Sequence, residues 1–374
     1  MTRLIEFLIS LAIVAALFLV VGVVLPSTRH LSAQIETNRK LTIVYDTVNS
    51  LRRFKDWHPL LLRDPGAQLE LSGPPAGVGA KLSYRSDEEG IGAGSWEIVE
   101  SEPRKRVAYR IDNIDRGGNK RSAFTLKPTG RNNRNVEITQ TYDVDYGWDL
   151  LGRYSGLYVS RNVGDDMKLG LSRLTNMLAA VPNFDYAVAG SKMTGLKMVQ
   201  RPAEDLLLVS STAKVEDDEL KAAMRNNLEW IRKVISANGL QAAGPPRIIT
   251  TESGRENYTF DIAVPVRRGS AAAGASDDAD GDSAAAPAPA AAAGAPMTPK
   301  LDGPVTYLQT KPTRAVTANY TGYLKELANT RDSLRAWALT NGYQVIDRPY
   351  EDYKNGIDAA FTENGEFDVY WTVK

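Results

Sequence analysis

Hydrophobic side chains fall along this chain in several rhythms, and each rhythm predicts a different kind of element. Between Glu6 and Arg29 no charge interrupts FLISLAIVAALFLVVGVVLPST. A run of about 20 apolar residues can cross a ~30 Å hydrocarbon layer as a helix, so residues 5–26 are expected to anchor the chain in a membrane. A cleaved signal peptide is the competing reading. Its apolar region usually spans only about 7–15 residues before a small-x-small site, whereas Leu31-Ser32-Ala33 puts a bulky residue where a small one is needed. Arg29, Arg39 and Lys40 follow the run and only Arg3 precedes it, which mildly favours a cytoplasmic body. The short tail before a long first helix favours the opposite. The expectation is a bacterial inner-membrane protein, crossing once, with a periplasmic body.

Period-two alternation follows in Val107, Tyr109, Ile111, in Phe124, Leu126, and in Val136, Ile138, then Tyr142, Val144. Such spacing predicts strands with one apolar face. Turn signals separate them at Gly73-Pro74-Pro75, Gly90 to Gly94, Arg116-Gly117-Gly118-Asn119 and Gly130-Arg131-Asn132-Asn133, so the strands form an antiparallel meander. Val163, Met167, Leu171, Leu174, Leu178 and Val181 then recur at helical spacing, predicting a long helix whose single apolar stripe lies across the sheet. This first domain is placed at 33–181.

The second half repeats itself. Asn238-Gly239-Leu240-Gln241 with Pro246 recurs as Asn341-Gly342-Tyr343-Gln344 with Pro349, and Phe260-Asp261-Ile262 recurs as Phe367-Asp368-Val369. Each copy has an apolar helical stripe before its Asn-Gly pair: Leu220, Met224, Leu228, Ile231, Ile235 in one and Leu327, Leu334, Trp337, Ala338 in the other. The pair itself reads as a helix stop. A pseudo-twofold domain of two strand-helix-strand-strand copies is predicted over 198–374. Between the copies, 269–299 is nearly all Ala, Gly, Asp, Ser and Pro; it lacks the apolar bulk to offset ordering entropy and is expected to be a disordered insertion.

Composition narrows the chemistry. Lys and Arg number 45 against 45 Asp and Glu, so no global field gathers nucleic acid. With no cysteine and only His30 and His58, thiol nucleophiles, disulfides and ordinary zinc sites are excluded or nearly so. No nucleophile elbow, phosphate loop, dinucleotide fingerprint or His-Glu-x-x-His is present. No cofactor is expected.

Phe54-Lys55-Asp56-Trp57-His58-Pro59, the strand Gly94-Ser95-Trp96-Glu97-Ile98 and the segment Gly164 to Leu171, in that order, resemble the START-like SRPBCC superfamily, which includes polyketide cyclases and lipid carriers. The resemblance implies an α+β helix-grip fold, an antiparallel sheet wrapped on a long C-terminal helix with a cavity between them. The second half resembles the gyrase-inhibitor-like, effector-binding domain found behind some bacterial transcription activators. That likeness is carried by Ala318-Asn319-Tyr320-Thr321-Gly322-Tyr323, Leu334-Arg335-Ala336-Trp337, Pro349-Tyr350-Glu351-Asp352-Tyr353 and Phe367-Asp368-Val369-Tyr370-Trp371. Thr372-Val373 stands where that family usually has a Pro-Val pair, and no helix-turn-helix precedes the domain.

In that family the carboxylate matched by Glu351 faces a cleft and can meet a cationic aromatic ligand. Through the repeat, Glu351 corresponds to Ile248. Tyr320, Trp337, Tyr343 and Tyr353 are candidate walls, since aromatic faces attract cations; the alternative is a solvent-edge acid with aromatics in the core. On the pocket reading, Glu351→Gln should weaken a cationic ligand without unfolding the domain. Trp57 reads more readily as a core residue than as a ligand stacker, and it is carried as the ligand-binding candidate of the first domain. His58 reads more readily as packing or capping than as a general base. Asp87-Glu88-Glu89 reads as a solvated turn, and Asp165-Asp166 as charge at the opening of the long helix.

The function expected is a membrane-anchored binding protein with one cavity per domain, for a small apolar or cationic amphipathic molecule or lipid. The alternative is an enzyme, cyclase- or hydratase-like in the first domain or hydrolase-like at Glu351 in the second.

Overall fold

A computed structural model describes residues 2–188, 190–269 and 296–374. They divide into two bodies, Met1–Asn183 with Thr340–Gly342, and Phe184–Leu339 with Tyr343–Lys374. The predicted insertion lies, over 270–295, outside the described residues. At its edge Met297 is buried, and its amide donates to Tyr307 Oη (2.9 Å).

The first body begins with α1 (Thr2–Val24), whose Arg3–Val24 stretch is long and apolar enough to span a membrane. It continues through β1 (Thr28–Thr37), α2 (Leu41–Val48), α3 (Phe54–Trp57), α4 (Leu60–Arg63), β2 (Gln68–Ser72), β3 (Lys81–Arg85), β4 (Ala93–Glu102), β5 (Arg106–Asp112), β6 (Gly118–Thr129), β7 (Asn135–Asp145), α5 (Leu150–Ser155) and α6 (Val159–Ala179). Strands β2 to β7 form the predicted meander, and β1 pairs with β7, giving the order β1-β7-β6-β5-β4-β3-β2. Strand β1 opens at Thr28 rather than near 33, because its alternating face pairs with β7 along the whole length from Thr28 opposite Asp145 to Thr37 opposite Val136. A bulge between Ile98 and Glu100 shifts the β4–β5 register, and such a bulge bends a strand.

The anticipated stripe of α6 is buried at Met167, Leu171, Leu174 and Leu178, and Phe124, Ile138 and Ile98 of the sheet are fully buried in the same domain. The helix starts at Val159, so Asp165 and Asp166 lie in its second turn and not at its opening. Asp166 instead accepts from Arg63 Nη2 (2.6 Å).

Gly94 has a packing reason. A Cβ there would collide with the backbone carbonyl of Asp112 and with the Tyr84 hydroxyl. Tyr84 can swing away and the carbonyl cannot. Gly94→Ala is expected to lower stability by about 1–3 kcal/mol, read as an earlier thermal unfolding of the first body's strands.

The second body contains β8 (Met193–Arg201), β9 (Asp205–Lys214), α7 (Asp217–Ala237), β10 (Leu240–Ala242), β11 (Arg247–Ser253), β12 (Asn257–Arg268), β13 (Thr306–Gln309), β14 (Thr313–Thr321), α8 (Leu327–Thr340), β15 (Tyr350–Tyr353), α9 (Gly356–Ala360) and β16 (Glu366–Val373). Its sheet runs β13-β9-β12-β11-β15-β16-β14-β8, with β10 beside β12. At the middle, β11 and β15 are antiparallel and Ile248 stands opposite Glu351.

Both Asn-Gly pairs follow helix ends, and Gly239 and Gly342 have φ of 62° and 82°, the left-handed region that glycine tolerates. On α7 the last buried position is Val234 rather than Ile235. On α8, Leu327, Leu334 and Ala338 are fully buried as expected, Trp337 is half-buried, and Arg331 sits in the same buried stripe.

Candidate ligand-binding cavity

The Phe54–Pro59 segment is shaped by its own residues. Phe54 is fully buried and stacks on His58 with centroids 4.2 Å apart. Pro59 disfavours helical backbone in the residue before it, and His58 is accordingly extended, ending α3. The Leu60 amide then donates to His58 Nδ1 (3.2 Å). Arg173 of α6 reaches back and donates to the carbonyls of Asp56 (2.9 Å) and Trp57 (3.3 Å). Gly170 lets α6 come close, since a Cβ there would already touch Pro59 and the Trp57 ring at 3.5–3.8 Å.

Between this segment, α6 and the concave sheet is a cavity of about 130 Å³. Its apolar and aromatic walls include Trp57, Trp96, Ile111, Tyr142 and Met167, and its polar lining includes His58, Asn113, Ser122, Gln140 and Asp166. Gly90 of the β3–β4 loop, Asp115 of the β5–β6 loop and Arg63 line it while exposed to solvent, and so form its mouth. Buried Lys120 shapes that mouth by donating to the Asn113 side chain and the Asp115 carbonyl, both at 2.5 Å. An indentation of about 270 Å³ at the far end of the sheet is lined by Gly73, Pro74, Pro75 and Ala80 of the β2–β3 loop, with Leu51, Arg52 and the adjoining ends of β2 and β3.

Two residues that line the cavity each carry a buried polar atom without a partner, Trp57 Nε1 and Gln140 Oε1. Gln140 Nε2 donates to Ser122 Oγ (3.2 Å), which leaves its carbonyl oxygen as the open acceptor. Burial, with Arg63 nearby, pushes the His58 imidazole down to about 3. The ring is therefore neutral at physiological pH, and because Nδ1 accepts, its proton is on Nε2. Burial, then the carboxylates of Asp115 and Asp112, pushes the Tyr84 hydroxyl up to about 12. These groups can hold hydrogen bonds, but neither titrates near neutrality, as an acid–base catalyst needs.

Trp57 is buried in the core and also lies along the cavity wall. Ser122 and Gln140 were not singled out. Their signal was present: the inward alternation Val136, Ile138, Tyr142, Val144 skips Gln140, a polar residue on an apolar face.

The five candidates of the second body do not assemble into one open site. Glu351 is fully buried, and Arg331 donates to both its oxygens, Nε to Oε1 at 2.5 Å and Nη2 to Oε2 at 2.8 Å. Arg331 Nη2 also donates to Tyr258 Oη (3.2 Å), which bonds with Thr250 Oγ1 (2.7 Å). The cation anticipated from a ligand is supplied from within the helix. Tyr353 is fully buried with an unpartnered hydroxyl and meets Phe367 edge-on, while Tyr320 stacks on Phe367 and donates to Glu326 (2.6 Å). Trp337 and Tyr343 face each other at 6.0 Å. Asp87, Glu88 and Glu89 are exposed in the β3–β4 loop, and among the described residues no cluster of three His, Asp or Glu could hold a metal.

Residues 28–179 match the model of a family described as polyketide cyclase / dehydrase and lipid transport. The match coincides with the seven-stranded sheet and α6, so the first body has the START-like fold. A comparison with curated proteins returns no match. Among solved structures, the chain is similar to the C-terminal domain of EcmrR, at 15% identity over 48% of this chain and 97% of that one, with a TM-score of 0.34. It is also similar to truncated norcoclaurine synthase from Thalictrum flavum, at 15% identity over 41% and 94%, with a TM-score of 0.33. A protein from Chromobacterium violaceum is similar at 16% identity over 41% and 96%, with a TM-score of 0.30.

Proposed function

We propose that the chain is a membrane-tethered binding protein whose first domain takes a small amphipathic molecule. The observation that carries this is the pair of unpartnered polar atoms, Trp57 Nε1 and Gln140 Oε1, on residues lining a cavity of mixed character, where Trp96, Ile111 and Met167 stand beside Ser122, Asn113 and Asp115. A buried donor or acceptor left unsatisfied costs about 1–3 kcal/mol, and a guest offering one acceptor and one donor, such as a hydroxyl, offsets both. The cavity is smaller than the roughly 300–1,000 Å³ of drug-sized sites. It suits the ring or polar end of a guest whose remainder leaves through the mouth. Binding is favoured over catalysis because the deep groups are Ser, Gln, an indole and a neutral imidazole, while the carboxylates Asp115 and Asp166 stand toward the mouth.

For the second domain we propose a duplicated, effector-binding-like architecture. Its support is the strand order, in which β9-β12-β11 and β14-β16-β15 abut at the Ile248–Glu351 pairing. A cation reaching Glu351 would have to displace Arg331 from both oxygens, so the first domain carries the functional proposal.

The test is Trp57→Phe, which keeps a large ring and deletes the donor. Lipids and small molecules that copurify with the chain are identified by native mass spectrometry, and their affinity is compared between wild type and variant. A loss of about 1–1.5 kcal/mol, or roughly tenfold, is expected for one hydrogen bond. Unchanged affinity of a guest shown to occupy the cavity would remove Trp57 Nε1 from the proposal.

A further inference from the structure

Arg153 of α5 is buried, and its Nη1 donates to three carbonyls at the end of α1, those of Gly22 (3.3 Å), Val23 (2.8 Å) and Leu25 (3.2 Å). Its Nε and Nη2 hold the Gly147 carbonyl at 2.9 and 2.6 Å. The Gly22 and Val23 carbonyls lie in the last turn of α1, where a helix has no partner of its own for them, and Leu25 follows directly. Among the residues of α1 whose burial is described, Gly22 is the buried one, and a Cβ there would stand 3.3 Å from both Leu150 and Tyr154. Small residues at such a point let two helices approach closely. Tyr154 stacks on Phe18 at 4.3 Å and donates to the Phe18 carbonyl (2.7 Å), six residues before the helix end and so about 9 Å along its axis.

Helix α5 therefore flanks the last two turns of α1 instead of following it into open solvent. The chain around it exposes apolar side chains: Trp148 is 81% exposed, Tyr158 63%, Leu151 52% and Leu157 52%. Trp and Tyr favour the boundary between hydrocarbon and water, where an apolar ring and a polar tip are both satisfied.

The cavity mouth is at the same end of the sheet. Thr28, where the chain leaves α1, pairs with Asp145, and Asp145 pairs with Gly118, which closes the β5–β6 loop bearing Asp115. Arg116 of that loop donates to Asp149, the cap of α5, at 3.2 and 3.3 Å.

Resting on the reading of α1 as a membrane span, we propose that Gly147–Tyr158 is an interfacial foot lying in the headgroup layer beside the anchor. It holds the cavity mouth toward the bilayer, so the guest is exchanged with the membrane rather than drawn from bulk water. The occupant of this surface is the lipid bilayer itself, because the segment is fastened to the outer turns of the helix that crosses it.

The absence of native cysteine allows a clean test. Single-cysteine chains Trp148→Cys and Leu157→Cys, with Val78→Cys as a reference on the far loop, are labelled with a polarity-sensitive fluorophore and reconstituted in phosphatidylcholine–phosphatidylglycerol vesicles. Flotation of each sample reads the anchor separately. The expected result is that all three float and that the labels at 148 and 157 shift to the blue. Spin-labelled lipid should quench these two severalfold more than the label at 78. If the chain does not float, the anchor reading fails and the proposal with it. If it floats and the two labels match the reference, the anchor stands and the foot is overturned. A blue shift without quenching by lipid overturns it in favour of a protein covering that surface.

Discussion

Glu351→Gln is expected to destabilise the second domain by roughly 3–5 kcal/mol, and Arg331→Met by a similar amount, because each leaves the other group buried and unpaired. Glu351 is fully buried and its oxygens are both taken by the guanidinium. Burial alone pulls the Arg331 guanidinium down, and the adjacent Glu351 carboxylate more than reverses it, leaving it raised above its ordinary value. A glutamine keeps the shape and removes the charge that makes this possible. The sequence-based expectation that the same substitution would spare the fold is thereby corrected, because it assumed a carboxylate open to a ligand. The double variant Glu351→Leu/Arg331→Met should recover most of the loss, since an apolar pair of similar volume is often neutral or better in such a place. Urea titration read by amide exchange in β15 and β16 isolates this domain from the first. A single-variant loss below about 1 kcal/mol, the scale of an exposed pair, would mean that the two groups are solvated.

Arg331 and Gln140 share the reason they were missed. Alternation and helical stripes identify a face by its apolar members, and both residues sit on such faces as exceptions. Leu327, Leu334 and Ala338 mark the stripe of α8, and position 331 falls within it at i+4 from Leu327. An arginine there calls for a buried carboxylate, and only the pairing of β15 with β11 and β16 shows that Glu351 is the one. What repeats at short range was legible: the strands of the first domain, its turn glycines, the stripe of α6 and the two Asn-Gly helix stops. What depends on distant segments was not. Arg153 carries no sequence signal as a cap for α1, because its acceptors at Gly22, Val23 and Leu25 lie more than a hundred positions away. The core position of Trp57 was legible because Phe54 and Pro59, three and two positions away, set it locally.

His58 should make the first domain lose stability as pH falls. Its imidazole binds a proton near 6.5 in the unfolded chain but only near 3 in the folded one, chiefly through burial and secondarily through Arg63. Between those values the unfolded state holds more protons, so stability rises with pH across the window and is lost as pH drops from about 6.5 toward 3. Each unit of difference corresponds to about 1.4 kcal/mol, which sets a ceiling of a few kcal/mol. The ring lines a cavity open at its mouth, so water screening brings the measured figure below that ceiling. Carboxylates titrate in the same range, and the comparison must isolate the imidazole. His58→Asn does so, because its side-chain oxygen can still accept the Leu60 amide while nothing at the position titrates. The variant starts lower at pH 7, having lost the stack on Phe54 and the edge contact with Trp96. Its melting temperature should then fall less steeply from pH 6.5 to 4 than that of the wild type. Parallel curves would place the proton uptake elsewhere and would mean that His58 is solvated in the folded domain. A shallower curve for the variant is the expected result and assigns the missing proton uptake to the His58 imidazole.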